Sequence, residues 1–173
     1  MLEMAKRLKR LLGLRRVAVD IFGDVWGFAI TVAGRYEGVM SLRRSNQLRP
    51  TSIEPYPTAA PGSVIFRQGN TQVLCTASIA SEVPPWLIDR ATGQATRGWV
   101  TAEYAMLPGS TAQRKRRGPD SRGTEIQRLI ARVLRAAVDL RRMPGVLITC
   151  DCDVLCADGG TRTAAITGGF VAL

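Results

Sequence analysis

The sequence predicts a domain that mixes β-strands and α-helices, and three stretches carry that prediction. Residues 63–67 and 71–80 alternate apolar and polar side chains around a turn at 68–70, which is the pattern of a β-hairpin. Residues 124–143 repeat apolar side chains at helical spacing. Residues 146–172 run from an apolar strand through a glycine turn into a segment of small residues, the order strand, turn, helix.

Length and charge limit the class of protein. The 173 residues suit one domain with some chain left over, and 46% hydrophobic content is enough for a core. Lys and Arg number 24 against 14 acidic residues, a net charge of +10, which points to a polyanionic partner, with RNA or DNA ahead of an anionic membrane. A basic protein without such a partner is the plainer alternative. Histidine is missing from the sequence, so acid–base or metal chemistry would need carboxylates, cysteines or backbone groups.

The N-terminal stretch leaves several interpretations open. Residues 1–16 place leucines on one helical face and Lys and Arg around the rest, which fits a membrane-surface helix, a targeting segment or an RNA-binding arm. The apolar stretch 17–33 is interrupted by Asp20 and Asp24, so we do not predict a membrane span there.

A polar shift after Met40 predicts a boundary between an N-terminal extension, residues 1–39, and a domain, residues 40–173. The Pro- and Thr-rich stretch 48–61 is expected to be extended and irregular.

The strands beyond this point are expected to bury one face each. The second arm of the hairpin presents Val73, Cys75, Ala77 and Ile79 on one side. After a loop at 82–98, the strand 99–107 presents Val100, Ala102 and Tyr104 on one side and Trp99, Thr101 and Glu103 on the other.

The helix predicted at 124–143 has a start and a stop signal. Thr124 and Gln127 have the spacing of a capping box, and Pro144-Gly145 ends the pattern. Its predicted buried face comprises Ile126, Leu129, Ile130, Val133, Leu134, Ala137 and Leu140.

Four cysteines occur without a secretion signal, which suits a reducing cytoplasm. Cys150, Cys152 and Cys156 share one face of the last predicted strand. Their spacing is unusual for a zinc site, so buried free thiols are the favoured interpretation and zinc the alternative.

The glycine turn at 158–160 is a candidate anion site. Gly159 and Gly160 allow close approach of a ligand to the backbone, and the helix that follows offers unpaired N–H groups and a positive dipole end. Arg162 adds a planar cation, so phosphate is the first candidate ligand, and an ordinary loop is the alternative. Arg122, placed just before the helix predicted at 124–143, could join the same pocket.

A run of four cations, Arg114, Lys115, Arg116 and Arg117, lies among Gly, Pro and Ser residues. Such a run is either a solvated loop or a surface that contacts a phosphate backbone. Because the whole chain is strongly basic, we favour RNA contact.

These stretches together resemble ribonuclease PH. The resemblance rests on GWVTAEYAMLP at 98–108, EIQRLIARVLRAAVDL at 125–140 and DCDVLCADGGTRTAAITGGFVAL at 151–173. QLRPTSIE at 47–54 and GSVIFRQGNTQVLCTASI at 62–79 fit the same family in the same order. The resemblance implies an α+β fold of the ribosomal protein S5 domain 2-like type, here incomplete at the C-terminus.

The resemblance also implies an activity. Members of the family are phosphorolytic 3′→5′ exoribonucleases, or tRNA nucleotidyltransferases, which trim the 3′ ends of tRNA precursors and other RNAs. Inorganic phosphate is the co-substrate, and the product is a nucleoside 5′-diphosphate. A cytoplasmic, ring-shaped hexamer built as a trimer of dimers, with no membrane association, is the expected assembly.

The family's functional positions map onto this chain in part. The implied phosphate ligands are Arg122, Gly160, Thr161 and Arg162, and the RNA-contacting loop maps onto the run that contains Arg114 and Arg117. The family's catalytic aspartates, which hold Mg²⁺, are expected beyond Leu173, so no catalytic residue or metal ligand is assigned here.

Two departures from the family pattern are visible. Gly109 stands where the family usually has arginine. Arg122 is flanked by Ser121 and Gly123, whereas the family's arginine is flanked by Gly and Thr. Because the catalytic aspartates are expected beyond Leu173, the alternative is a truncated, non-catalytic RNA-binding or subunit-like protein, and a fragment without an independent fold is a third.

Overall fold

The computed structural model describes Arg44, residues 46–118 and residues 120–173. These belong, apart from Arg44, to a compact unit that runs from Asn46 to Leu173. The predictions for residues 1–39 lie outside the described residues, and the predicted boundary at residue 40 stays a prediction.

Five strands form one sheet in this unit. They are β1 (Thr51–Pro55), β2 (Gly62–Gln68), β3 (Thr71–Ala80), β4 (Trp99–Met106) and β5 (Leu147–Cys156). Their order across the sheet is β1-β2-β3-β5-β4, and only β4 and β5 run parallel. The hairpin of β2 and β3 is confirmed, with Gly69 and Asn70 between its strands.

Two helices complete the layer: α1 (Ser121–Ala137) links β4 to β5, and α2 (Thr161–Ala172) follows β5. Short 3₁₀ turns occur at Pro85–Leu87 and Leu140–Arg142. A five-stranded sheet with two helices confirms the predicted α+β class. In the described part of the chain, neither helix combines the length and the apolar character that crossing a bilayer requires.

One hydrophobic core joins the sheet to both helices. Val73, Cys75 and Ala77 of β3 and the predicted face of β4 contribute to this core, as the alternation predicts. Ile79 was expected on the same face as Val73 but is 61% exposed, because β3 continues past the helices at its C-terminal end.

The stretch 48–61 was expected to be irregular, and that expectation is wrong for its middle. Thr51–Pro55 forms β1 and pairs with β2. Pro55 is accommodated because β1 is an edge strand, where a residue without an N–H group leaves no ladder bond unmade.

The helix α1 begins three residues earlier than predicted and ends at Ala137 rather than at residue 143. The predicted capping box does not form: Asp120 caps the helix at Gly123 N–H, while Gln127 donates to Glu103 Oε1 at 2.9 Å. After Ala137, Val138 is extended, and the Asp139 side chain caps the following 3₁₀ turn.

The buried stripe of α1 is narrower than the predicted one and comprises Ile126, Ile130, Ala131 and Leu134. Val133 and Ala137 were predicted to be buried, but both are exposed in the described structure.

The cysteines are buried free thiols, as favoured from the sequence. Cys150 and Cys152 lie 3.9 Å apart at their Sγ atoms under α2. The hydrogen bond with Cys152 and burial raise the pKa of Cys150. For Cys152, the hydrogen bond with Cys150 acts in the lowering direction, but the hydrogen bond with Cys75 and burial raise its pKa on balance. Both thiols therefore stay protonated at neutral pH.

Candidate functional site

The glycine turn between β5 and α2 is fastened to a distant part of the chain. The hydroxyl of Thr71, at the start of β3, donates to the Gly159 carbonyl at 2.6 Å and accepts from the Asp158 N–H at 3.0 Å. Arg49 Nη1 donates to the carbonyls of Asp158 at 2.6 Å and Gly159 at 3.2 Å. These bonds hold the turn in one conformation.

Gly159 and Gly160 both have left-handed backbone angles, with φ of 80° and 71°. A side chain at either position would be strained, and at Gly159 its Cβ would lie 3.4 Å from the Arg49 guanidinium. Two consecutive left-handed residues turn the backbone directly into the first turn of α2.

The first turn of α2 has no side-chain cap. Its exposed N–H groups therefore carry the partial positive charge of the helix N-terminus without a protein acceptor from a capping side chain. Thr161 is the first helical residue and is buried, and its Oγ1 accepts a hydrogen bond of 2.9 Å from the Tyr104 hydroxyl. The geometry suits an anion more than a neutral group.

Tyr104 connects this helix end to a second arginine. Burial raises the pKa of the Tyr104 phenol, while the hydrogen bond to Thr161 and the charges of Arg122 and Arg162 act in the lowering direction. The two arginines are therefore both near one phenol, although 40 residues separate them in sequence. The sequence placed Tyr104 on the buried face of a strand, but it did not predict that this phenol contacts the first residue of α2.

Arg162 is already paired with a carboxylate. Its Nη2 lies 2.6 Å from Glu125 Oε2, which ties α2 to the first turns of α1. Both side chains are about half exposed, at 45% and 53%, so the ion pair contributes at most about 1 kcal/mol to stability. An incoming anion could replace Glu125 as the partner of the Arg162 guanidinium at little cost in free energy.

Arg122 lies inside α1, in its first turn, and not before the helix as expected. The first turn of α1 is capped by the Asp120 carboxylate, which accepts from Gly123 N–H. The two helix ends thus differ: α1 carries its own anion, and α2 has none. For binding an anion, Arg122 offers a charged side chain, while the first turn of α2 offers backbone N–H groups that no side chain caps.

The basic run lines a cavity beside the first turn of α1, and no residue of α2 lines that cavity. This cavity of about 410 Å³ is lined by Lys115, Arg116 and Arg117 together with Arg122 and Tyr104. Arg114, the first cation of the run, is exposed and does not line this cavity. The cavity therefore joins three cations of the run to the arginine of α1 and to the phenol that touches α2.

Asp153 lines the same cavity, and Asp151 precedes it on the same face of β5. Burial raises the pKa of both carboxyls, and the charge of Asp153 raises that of Asp151 further. Within the described residues, no group of three or more His, Cys, Asp or Glu side chains is arranged to hold a metal ion.

Comparison with known proteins agrees with these features. Residues 47–173 match the 3′ exoribonuclease family, domain 1. The chain is 56% identical over 138 residues to a ribonuclease PH of Rhodopirellula baltica, covering 77% of this chain and 54% of the relative. It is 59% identical over 135 residues to a ribonuclease PH of a Synechococcus strain, covering 76% and 53%.

A solved structure shares the fold. A chain of an Archaeoglobus fulgidus exosome with RNA bound to its active site superposes with a TM-score of 0.63 at 23% identity, over 73% of this chain and 51% of that one. The chain spans about half the length of the curated relatives it matches.

Proposed function

The chain belongs to the 3′ exoribonuclease family, and on that premise we propose that its protein is a phosphorolytic 3′→5′ exoribonuclease of the ribonuclease PH type. The observation that carries the proposal is the uncapped N-terminus of α2, with Thr161 and Arg162 in its first turn and Arg122 near the same phenol. Inorganic phosphate is the proposed ligand of this site and the co-substrate of the reaction.

In the proposed reaction, a phosphate oxygen attacks the phosphorus of the last phosphodiester. The bond from that phosphorus to the O3′ of the preceding nucleotide breaks, and O3′ takes up a proton. The products are a nucleoside 5′-diphosphate and an RNA shortened by one nucleotide with a free 3′ hydroxyl. Phosphate is itself the nucleophile, so the protein must mainly hold it in line and offset charge.

The residues of this chain divide that work. Backbone N–H groups from Gly160 onward and the Thr161 hydroxyl would hold phosphate oxygens, and Arg162 would exchange Glu125 for the anion. Arg122 adds positive charge in the cavity that it lines together with Tyr104. The fixed glycine turn keeps these donors in place before phosphate arrives.

The RNA is proposed to enter along the basic run. Lys115, Arg116 and Arg117 line the cavity that contains Arg122, so an RNA backbone there would lead its 3′ end toward the phosphate. Arg114 would contact RNA outside the cavity. Gly109 leaves open space where the family usually has an arginine.

We propose further that the substrates are tRNA precursors and the 3′ ends of ribosomal RNA, and that residues 40–173 form the first part of the domain. The proposed assembly is a hexamer built as a trimer of dimers, located in the cytoplasm. Mg²⁺ would be held by aspartates that the resemblance places beyond Leu173, so none of the steps assigned to this chain depends on it.

Phosphate binding to this chain tests the site. We expect Arg162→Ala to weaken the affinity for inorganic phosphate about 10- to 100-fold in calorimetry, because one or two charge-assisted hydrogen bonds are lost. Glu125→Gln is the matched control: it frees Arg162 from its partner and should bind phosphate at least as tightly as the parent.

Equal phosphate affinity in the parent and in Arg162→Ala would contradict the assigned site. For the activity, the readout is phosphate-dependent release of nucleoside diphosphates from a 3′-extended tRNA by the complete protein. Hydrolytic release of monophosphates, independent of phosphate, would sink the phosphorolytic proposal.

A further inference from the structure

A second basic surface lies at the opposite end of β4 and α1 from the glycine turn. It consists of Trp86, Trp99, Arg97, Arg128, Arg132 and Arg135, and we call it the tryptophan–arginine surface. Arg97 and Arg135 place Cζ at 5.6 Å and 4.4 Å from the centre of the Trp99 ring. Trp86 meets Trp99 edge-on, with ring centres 4.7 Å apart.

Trp86 is unusual because it is large, apolar and 61% exposed. It follows Pro85 in a 3₁₀ turn, where the backbone is stiff, and its one described ring contact is with Trp99. Much of the ring therefore remains accessible to a flat ligand. A rigid, exposed indole held by another indole is suited to stacking with a base.

The arginines of α1 continue this surface as a row. Arg128, Arg132 and Arg135 are spaced four and three residues apart, so they lie on one face of the helix and span about 10 Å along its axis. They line a groove of about 700 Å³ beside β4. Among the described residues, none of the three has a carboxylate within 4.0 Å.

The energetics of Arg135 support an anionic ligand here. Burial lowers the pKa of Arg135, and the charge of Arg132 acts in the same direction. The two guanidinium groups repel one another and have no carboxylate within 4.0 Å among the described residues. A bound anion would therefore stabilise the charged form of both. A polyphosphate backbone would supply several negative charges along the row.

An acidic peptide that adds a strand to the sheet fits less well. β4 is an edge strand, which could in principle accept another strand. However, Arg135 Nη1 donates to the Val100 carbonyl at 2.8 Å, so one acceptor of that edge is already used. The arginine that gives the groove its charge thus also obstructs strand addition.

We propose that the tryptophan–arginine surface binds single-stranded RNA, with a base stacked on Trp86 and phosphates on Arg128 and Arg132. The inference rests on the proposed function, because it assigns to the RNA substrate a contact upstream of its 3′ end. Trp99 and Tyr104 are five residues apart on β4, about 16 Å, so several nucleotides separate the two contacts. Short RNAs would not reach both.

The test measures binding of fluorescein-labelled oligouridine of about 12 nucleotides to this chain by anisotropy at several salt concentrations. We expect Trp86→Ala to weaken binding about 5- to 100-fold, because one stacked base is lost, and Trp86→Phe to restore most of the affinity. We expect the double variant Arg128→Ala, Arg132→Ala to reduce the salt slope by about 1.4, which corresponds to two phosphate contacts.

Arg67→Ala is the matched charge control, since Arg67 lies on β2, pairs with Glu54 of β1 and is separated from β4 by two strands. It should leave the slope unchanged. Unaltered affinity and slope in both the Trp86 and the double-arginine variants would overturn the proposal, and so would tighter binding of polyglutamate than of oligouridine at equal ionic strength.

The two proposals fail separately. If the parent chain did not bind phosphate, but its RNA binding still depended on Trp86, the phosphorolytic proposal would be contradicted and the RNA contact at this surface would be supported. If the parent bound phosphate normally, but neither the Trp86 variant nor the double-arginine variant changed RNA binding, the proposed function would stand and the RNA contact at this surface would not.

Discussion

A single hydroxyl, that of Thr71, joins the turn between β2 and β3 to the turn that precedes α2. It is fully buried and both donates to Gly159 and accepts from the Asp158 N–H. Few side chains can serve one acceptor and one donor at once in so little space. The conformation of the proposed phosphate loop therefore depends on an atom that touches no substrate.

Thr71→Val tests this dependence, because it keeps the shape and removes the hydroxyl. We expect the free energy of unfolding in urea to fall by about 0.5–1.5 kcal/mol, since the Asp158 N–H loses its acceptor while the Gly159 carbonyl retains the bond from Arg49. Phosphate affinity should fall as well, because the turn loosens.

Thr71→Ser retains the hydroxyl and should recover most of both properties. If Thr71→Val were as stable as Thr71→Ser and bound phosphate equally well, the hydroxyl would have no part in holding the loop.

At the scale of the elements, α2 lies unusually close to the sheet. A Cβ on Gly168 would come within 2.7 Å of Cys75 Sγ and 3.0 Å of Phe66 Cβ. Glycine at this position lets the helix approach β2 and β3, which sets how deep Thr161 and the glycine turn lie. The position of the site thus follows from backbone packing at the far end of the same helix.

Gly168→Ala is expected to destabilise the chain by about 1–3 kcal/mol in urea unfolding, because the added methyl group overpacks the core. Gly109→Ala is its control: no atom lies within 4 Å of the Cβ that it would add, so little change is expected. Equal stability of the two variants would show that α2 can shift outward freely.

The sequence predicted the elements better than their ends. Alternation identified β2, β3 and β4, and helical spacing identified α1, because burial of one face leaves a periodic trace. The sequence identified β5 and α2 instead from an apolar run and from the small residues that follow the glycine turn. It missed β1, since an exposed edge strand that contains Pro55 has no apolar face to detect. It misplaced the start of α1, because Asp120 and Thr124 are both good caps and only packing decides between them.

The site was predictable only in part, and the reason is sequence separation. Glycines and an arginine after an apolar strand pointed to Gly159, Gly160 and Arg162 from local pattern alone, whereas Thr161 was implied only by the family resemblance. Arg49, Thr71 and Tyr104 could not be found in that way, because each meets the turn or α2 through contacts 57 or more residues apart. Glu125 in turn reaches Arg162 only because α1 and α2 are neighbours.

At the scale of the whole molecule, one core connects every strand except β1 to both helices. Cys75, Cys150 and Cys152 lie in its centre with at most 1% of their surface exposed. They belong to β3 and β5, which both have neighbouring strands on either side. Exposing these thiols therefore requires the sheet and α2 to separate.

Thiol labelling with an aromatic disulfide reagent at mildly alkaline pH measures that opening. We expect these three cysteines to react at a rate that rises with urea in proportion to the unfolded fraction, since burial protects all three in the folded state and raised pKa values add to the protection of Cys150 and Cys152. Cys156, at 9% exposure, provides an internal comparison at the edge of the core. A rate independent of urea at low concentration would indicate local opening of α2 instead.

The bond from Arg49 to Asp158 spans 109 residues, and it has a consequence for a chain that is still being made. During synthesis, Arg49 and Thr71 leave the ribosome long before the glycine turn exists, at an interval of roughly 5–20 s for Arg49 at bacterial and eukaryotic elongation rates. The β2–β3 hairpin can pair early, but the loop must wait for β5 and α2. Capacity to hold an anion is therefore acquired last, when nearly every other contact of the unit is already available.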